Sequence, residues 1–424
     1  MVSVLFIAFA LFLLIGLPIA VAIGGSSFVF ALLAEINPIV GLQKIVAGVD
    51  NTAFLAIPMF ILAGDIMQAG NLSKRLINVA NSFIGHINGG LAVVTVLTSM
   101  FFGAISGSAI ATAASIGKIM HFEMVSRGYD ESYSSALIAA ASPLGMLVPP
   151  SILMVVIGVV SKTSIASLLI GGIGAAVVYA LALIIYAVII AKKRGYRGSE
   201  KASAKEKWNT FKEAIWALGA PVILLGGIFS GIFTPTEAAV VAVIYCMIIA
   251  IFVYKDVKFK DLPAIFLTSV KTTATLMFIV ACASFFGYII AYTQVSQHMV
   301  NFLINNISNP TLLLLTINLF LIILGCFMES MAIIIIVVPM ILPLVSYMGL
   351  DYIHFGVMVL TNIAIGNITP PLGVCLYTVS GVTNLSIEKV VSGIKMPIIA
   401  LVIALLIITF VPSVSTLLPQ LMMK

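Results

Sequence analysis

Two pairs of adjacent prolines lie inside strongly apolar stretches of the sequence. Pro149-Pro150 falls in the segment 142–151, and Pro370-Pro371 ends the segment 362–371. Proline has no backbone N–H and disfavours helix at the residue before it, so neither segment is expected to be a continuous helix. Each is predicted to be an unwound stretch between two half-helices, with free carbonyls that suit a hard cation such as sodium. The N-terminus of the half-helix after each pair would favour an anionic group.

A second kind of polar interruption precedes each proline pair. The stretches 103–108 and 325–330 are small and polar between two apolar arms, a composition typical of hairpin tips that turn within the membrane. Glu329, in the second stretch, is a carboxylate with apolar runs on both sides, and such a residue predicts a functional site. For any single Gly, Ser or Thr here, ordinary helix packing is the simpler explanation. The prediction of a transport site therefore depends on the four segments taken together.

Three other charged residues are open to a structural as well as a functional interpretation. Asp65 lies deep in an apolar run, where it would form either a pore or partner contact or a structural salt bridge. Glu237 is predicted to lie in the first turn of a helix that Thr236 caps. Lys118 follows the first tip by ten residues and would either contact an anion or extend to the membrane interface.

The composition indicates a polytopic, all-α membrane protein. Of 424 residues, 62% are hydrophobic and only 8% are charged, whereas soluble domains carry about 25% charge. Apolar runs of roughly 20 residues, the length that crosses a bilayer, recur along the chain. They are continuous and not alternating, which excludes an outer-membrane barrel. Residues 1–34 are predicted to form the first membrane helix in place of a cleaved signal.

The basic residues are concentrated in one polar segment. Eight of the 21 lysines and arginines fall within 192–212, and the positive-inside rule predicts that this loop is cytoplasmic. The net charge of +6 is mostly explained by this topology, so it does not indicate a nucleic-acid partner. The loop divides the chain into a first half, 1–191, and a second half, 213–424.

The two halves repeat the same landmarks at one spacing. Gly145 and Gly366, Pro149 and Pro370, and Gly172 and Gly393 are each 221 positions apart. Such a register predicts an internal duplication, the layout in which secondary transporters place their sites at the repeat interface. The sequence does not show whether the repeats are inverted or parallel, and we take inverted repeats as the expectation.

Several motifs resemble one family of transport proteins. The runs Gly107-Ser108-Ala109-Ile110-Ala111-Thr112-Ala113-Ala114 and Gly231-Ile232-Phe233-Thr234-Pro235-Thr236-Glu237-Ala238-Ala239, with the two Gly-x-x-x-Pro-Pro breaks, resemble the large membrane subunit of tripartite ATP-independent periplasmic (TRAP) transporters. The resemblance covers essentially the whole chain. It implies a sodium-driven importer of organic anions, such as sialic acids or C4-dicarboxylates, in the bacterial inner membrane. It also implies an elevator motion, a small four-helix membrane subunit and a soluble periplasmic binding protein that delivers the substrate.

The resemblance also implies roles for particular residues. It makes 103–108 and 325–330 the tips of two re-entrant hairpins. It also pairs each tip with the break of its own half, which gives one sodium site in each half. The expected sodium ligands are Ser106, Ser108, Ser142, Gly145, Val148, Gly325, Met328, Asn362, Gly366 and Thr369. The expected substrate contacts are Gly107, Pro150, Ser151, Glu329, Ser330 and Pro371. The family usually has Asp where this chain has Glu329, which keeps the charge but lengthens its reach.

Two other classes of protein remain as alternatives: a polytopic membrane enzyme and an ion channel. An enzyme would need an acid/base or metal constellation, but no cluster of Cys and His predicts a transition-metal site, and the intramembrane polar residues are mostly Ser, Thr and Asn. A channel would be expected to repeat a pore element around an axis. The absence of a phosphate-binding loop motif means that ATP hydrolysis by this chain is not expected.

Overall fold

The computed structural model describes residues 2–423, and these residues form twenty-one α-helices and no strand. Residues 2–194 contain α1 (Val2–Leu14), α2 (Ile19–Leu33), α3 (Pro38–Val49), α4 (Ala56–Ala69), α5 (Leu72–Ile84), α6 (Gly90–Ser106), α7 (Ala109–Ser126), α8 (Glu131–Ala141), α9 (Leu144–Leu147), α10 (Ile152–Ser161) and α11 (Ile165–Arg194). Residues 204–422 contain α12 (Ala204–Phe229), α13 (Pro235–Ile248), α14 (Leu262–Tyr292), α15 (Val295–Asn306), α16 (Pro310–Phe327), α17 (Ser330–Tyr347), α18 (Tyr352–Gly366), α19 (Val374–Thr383), α20 (Ile387–Phe410) and α21 (Ser413–Met422). Short 3₁₀ turns precede α4 and α14, and a π-helical turn, Ile249–Val253, extends α13.

Eight helical segments in this part of the chain are long and apolar enough to cross a membrane. The count rises to nine if the bent pair Glu131–Leu147 and Ile152–Ser161, which meet at 48°, forms one span. The all-helical, polytopic class that the sequence predicts is therefore confirmed.

The N-terminal apolar run forms two helices and not the single helix that the sequence predicts. Helix α1 ends at Leu14, Gly16 takes a left-handed conformation with φ of +84°, and α2 begins at Ile19 directly after Pro18. Glycine reaches this φ without steric cost, and proline is readily accommodated at a helix start. The run therefore folds into two helices that pack against each other.

Helices in the two parts of the chain begin and end at matching positions. Helices α7 and α17 both start and end 221 positions apart, and α8 and α18 start 221 positions apart. The starts of α10 and α19, and of α11 and α20, differ by 222. The spacing of the sequence landmarks thus reappears in the helix boundaries, as a duplication requires.

The two proline breaks differ in extent. In the first, α8 ends at Ala141, α9 forms a single turn, and the chain is extended from Val148 until α10 begins. In the second, α18 continues to Gly366, so the predicted unwound segment 362–371 is wrong at its start. Pro143 has no N–H to continue α8, whereas Ala364, the equivalent 221 positions later, leaves α18 intact.

Two connections also differ from the sequence expectations. The segment 192–212 includes the last turn of α11 and the first turns of α12, so the connection itself is 195–203. Helix α13 is capped by Thr234 and not by Thr236: the Thr234 hydroxyl accepts from the Glu237 N–H, and the Glu237 carboxylate accepts from the Thr234 N–H. This capping box places Pro235 at the first helical position, which proline favours.

Glycine pairs bring each hairpin against the break of its own half. A Cβ on Gly103 of α6 would lie 2.6 Å from the Gly145 Cα, and a Cβ on Gly366 would lie 2.5 Å from the Gly325 Cα of α16. The backbones are therefore in direct contact at both places. The return arms cross over between halves, because α7 packs against α19 and α17 packs against α10.

Gly366→Ala should destabilise the protein, because the new methyl group meets backbone that moves only if α16 and α18 separate. Overpacking of this kind costs about 1–3 kcal/mol. We expect a lower Tm for the purified protein in detergent. Gly381→Ala is the matched control, since nothing lies within 4 Å of its new Cβ, and its Tm should be unchanged or slightly higher. Equal Tm values for the two variants would contradict the close contact.

Candidate functional site

A cavity of about 380 Å³ lies where both hairpin tips and both helix breaks meet α4 and α14. Its lining includes residues from the start of α7, α10, α17 and α19. The polar or glycine positions in the lining are Gly64, Asp65, Gln68, Ser106, Gly107, Ser108, Thr272, Glu329, Ser330 and Asn367. Four helix N-termini thus converge on one partly enclosed space, and each contributes a partial positive charge.

The first hairpin tip is built from glycine and hydroxyl residues. Gly107 has φ of +61°, and a Cβ there would lie 2.6 Å from the Pro150 carbonyl oxygen, so the tip approaches the first break closely. Ser108 caps α7 by accepting from the Ala111 N–H. The Thr112 hydroxyl donates to the Ser108 carbonyl at 2.8 Å. Carbonyl and hydroxyl oxygens therefore cluster between this tip and the first break.

The second tip carries a carboxylate. Glu329 caps α17 by accepting from the N–H groups of Met331 (2.8 Å) and Ala332 (3.1 Å). Its negative charge therefore lies directly on a positive helix end. The neighbouring Ser330 hydroxyl accepts from the Asn367 Nδ2 at 3.0 Å, which ties this tip to the second break.

Helices α4 and α14 form the opposite wall. A Cβ on Gly64 would lie 3.2 Å from the Ser106 Cα, so α4 passes close to the first tip. Asp65, one residue later, is half-buried and accepts a hydrogen bond from the Ser269 hydroxyl of α14. Within residues 2–423, Asp65 forms no salt bridge. It lines the cavity, which agrees with the other interpretation, a pore contact.

The charges of this cavity are all negative. Asp65 and Glu329 line it, and its lining residues in the described chain include no lysine, arginine or histidine. Lys118 lies on the exposed surface of α7 and does not line the cavity. An anion entering the cavity would therefore meet helix N-termini but no basic side chain.

The predicted site residues occupy three kinds of position. Lining the cavity are Ser106, Gly107, Ser108, Glu329 and Ser330. Behind it, within or beside the two breaks, lie the buried residues Ser142, Gly145, Val148, Pro150, Ser151, Gly325 and Gly366, with the half-buried Met328 and Thr369. The structure does not place Asn362 or Pro371 in the lining: Asn362 donates to the Asn318 side chain at 2.8 Å, and Pro371 is exposed.

Sequence reasoning did not assign three polar residues that the structure brings to the site. Gln68 and Thr272 line the cavity, and Thr112 supports the first tip. Gln68 follows Asp65 by three positions, and this spacing places both on one helix face. Thr112 lies one helical turn after Ser108, where its hydroxyl reaches the Ser108 carbonyl.

Comparisons with known proteins identify the family. The family model described as "Tripartite ATP-independent periplasmic transporter, DctM component" matches residues 6–414. An isethionate TRAP transporter permease protein, DctMQ, from Oleidesulfovibrio alaskensis is 41% identical over 97% of this chain, which spans 65% of that protein's length. The sialic acid TRAP transporter large permease protein SiaM of Vibrio cholerae is 38% identical over 89% of each chain. The C4-dicarboxylate TRAP transporter large permease protein DctM of Rhodobacter capsulatus is 33% identical over 97% of each chain.

A solved structure shares the fold at low sequence identity. The YdaH transporter of Alcanivorax borkumensis, whose crystal structure is described as having an unusual topology, superposes with a TM-score of 0.62. The match covers 92% of this chain and 88% of that one at 14% identity. It supports the helical architecture alone.

The family settles the class of protein. The relatives are transport permeases, so the chain is a transport protein and not an enzyme, and it is a multi-pass protein of the bacterial inner membrane. With the family model matching nearly all of its length, the chain belongs to the DctM family, the large membrane component of the tripartite ATP-independent periplasmic transporters.

Proposed function

We propose that this subunit imports an organic anion together with sodium. The observation that carries the proposal is the cavity shared by both tips and both breaks, which combines neutral oxygens, four helix N-termini and two carboxylates without a basic side chain. Such a cavity needs bound cations before it holds an anion. Sodium is the cargo that fits, because carbonyls at broken helices in the membrane are its usual ligands.

Hydroxyl and carbonyl oxygens beside each glycine contact support two sodium positions. A Cβ on Gly145 would overlap the Ser108 carbonyl, so this oxygen points directly at the first break. At the second break, the Thr369 hydroxyl lies beside the Gly325–Gly366 contact and donates to the Ile365 carbonyl at 2.7 Å. A hydroxyl that donates to a carbonyl keeps lone pairs for a cation. We therefore keep the predicted pairing of each tip with the break of its own half.

The substrate class follows from the charges and from the relatives. Isethionate, sialic acid and C4-dicarboxylates, named for three relatives, all carry an acidic group. In this chain the start of α10, capped by the neutral Ser151, and the start of α19, which has no side-chain cap, would face that group. Bound sodium would add full positive charges beside these helix ends.

The partners and the motion are part of the same proposal. The family is tripartite, so we propose a small four-helix membrane subunit and a soluble periplasmic binding protein that delivers the substrate. We also propose an elevator motion of the hairpins and broken helices, arranged as inverted repeats, against α4 and α14. The close passage of Gly64 past the first tip suits sliding, because no side chain separates the two backbones.

Uptake by the reconstituted tripartite system should require an inward sodium gradient. Proteoliposomes with sodium outside should accumulate the substrate, whereas choline or potassium in its place should reduce uptake to background. The physical reason is that the cavity without sodium holds two carboxylates and repels an anion. Equal initial rates in choline and sodium buffers would exclude sodium coupling.

The proline pairs should be essential for transport but not for membrane insertion. The double variants Pro149→Ala/Pro150→Ala and Pro370→Ala/Pro371→Ala restore two N–H groups each, which lets the helix continue and withdraws the carbonyls. We expect normal insertion and loss of uptake. Pro221→Ala, within α12, is the control and should keep most of the activity. Near-normal uptake by both double variants would show that the breaks serve packing only.

A substrate panel tests the anion assignment. Isethionate, sialic acid and succinate should be compared with glucose and a primary amine, using the cognate binding protein and saturating sodium. At least one acid should be taken up far faster than the neutral and cationic compounds. Preference for a neutral or cationic compound would overturn the assignment while leaving the sodium result intact.

A further inference from the structure

The carboxylates of the cavity differ in how their charges are compensated. Glu329 accepts from two backbone N–H groups at the start of α17, so a positive helix end offsets its charge. Asp65 lies inside α4, where the backbone N–H groups are already used by the helix, and its hydrogen-bond donor is the neutral Ser269 hydroxyl. In the described chain, neither carboxylate forms an ion pair. The charge of Asp65 therefore acts on the cavity largely uncompensated.

The position of Asp65 lets that charge act on any ion bound at the first tip. Gly64, its neighbour, lies against the Ser106 backbone, and Gln68, one turn later, donates to Ser115 of α7 at 3.0 Å. This face of α4 is thus in contact with the hairpin that carries Ser108. A charge that lines this partly enclosed cavity acts strongly on an ion bound there, because such a site screens charges less than bulk water does.

We propose that Asp65 is an ion-coupling residue, whose charge raises the affinity of the cavity for sodium and lowers its affinity for the organic anion. The inference rests on the proposed function. Its consequence is an order of binding: sodium enters first, and the anion is excluded until sodium has offset the carboxylate. An empty carrier with Asp65 in place would not carry the anion alone, which protects the sodium coupling from leakage.

A purely structural role makes a different prediction. If Asp65 served only to join α4 to α14 through Ser269, its loss would loosen the cavity and weaken the binding of sodium and anion alike. A charge effect instead moves the two affinities in opposite directions. The signs of the two affinity shifts therefore distinguish the explanations. Neither affinity depends on the maximal rate of transport.

The experiment compares Asp65→Asn with Ser269→Ala, which removes the hydrogen bond but keeps the charge. Sodium binding is measured in the purified complex as thermal stabilisation by NaCl, with choline chloride keeping the ionic strength constant. Anion binding is measured as the KM for uptake at saturating sodium, with whichever of isethionate, sialic acid or succinate the wild type transports. For Asp65→Asn we expect a half-saturating NaCl concentration about tenfold higher and a KM several-fold lower, the scale of one unit charge near an ion.

Each outcome decides between the explanations. The proposal is supported if the sodium and anion affinities shift in opposite directions in Asp65→Asn but not in Ser269→Ala. Unchanged affinities, or weaker binding of both sodium and the anion, overturn it. If Asp65→Asn does not transport, thermal titration with NaCl and then with the anion supplies both affinities. Failure of the proposed function itself is distinguishable, because the wild type would then show neither stabilisation specific to sodium nor sodium-dependent uptake.

Discussion

Unpaired backbone groups inside an apolar protein are the constraint on which this architecture depends. The two proline pairs interrupt apolar helical segments, and a carbonyl without a partner at membrane depth costs several kcal/mol unless protein, water or an ion meets it. The structure covers each break with the hairpin of the same half through glycine contacts, Gly103 on Gly145 and Gly325 on Gly366. The cavity is the remaining space between these covered breaks.

Because the return arms cross over, both halves of the chain line the cavity. Helix α7 packs against α19 and α17 against α10, so each hairpin supports the half-helix that follows the other break. The starts of all four helices line one cavity as a result. Duplication therefore supplies two similar sets of oxygens, while Glu329, which replaces Ser108 at the equivalent helix cap, makes the two sets chemically unequal.

Local chemistry made much of this predictable from the sequence. Proline pairs and small tips identify the breaks and the hairpins, because each depends on residues close together in the chain, and the 221-residue register relates the two halves. The pairing of each hairpin with the break of its own half came from the family resemblance. Two predictions of helix boundaries were wrong because of individual residues. Pro143 ends α8, whereas its equivalent Ala364 allows α18 to continue, and Gly16 and Pro18 divide the first apolar run into two helices. The α4 and α14 wall was not predictable, because Asp65 and Ser269 are 204 positions apart and no local pattern relates them.

The central claim is that sodium and the organic anion occupy one cavity together. Its most direct test is the simultaneous measurement of radioactive sodium entry and substrate entry into the same proteoliposomes with all three components present. The account predicts that each flux rises when the other solute is added and that their ratio stays constant as the substrate concentration changes. Substrate entry without accompanying sodium entry would contradict it.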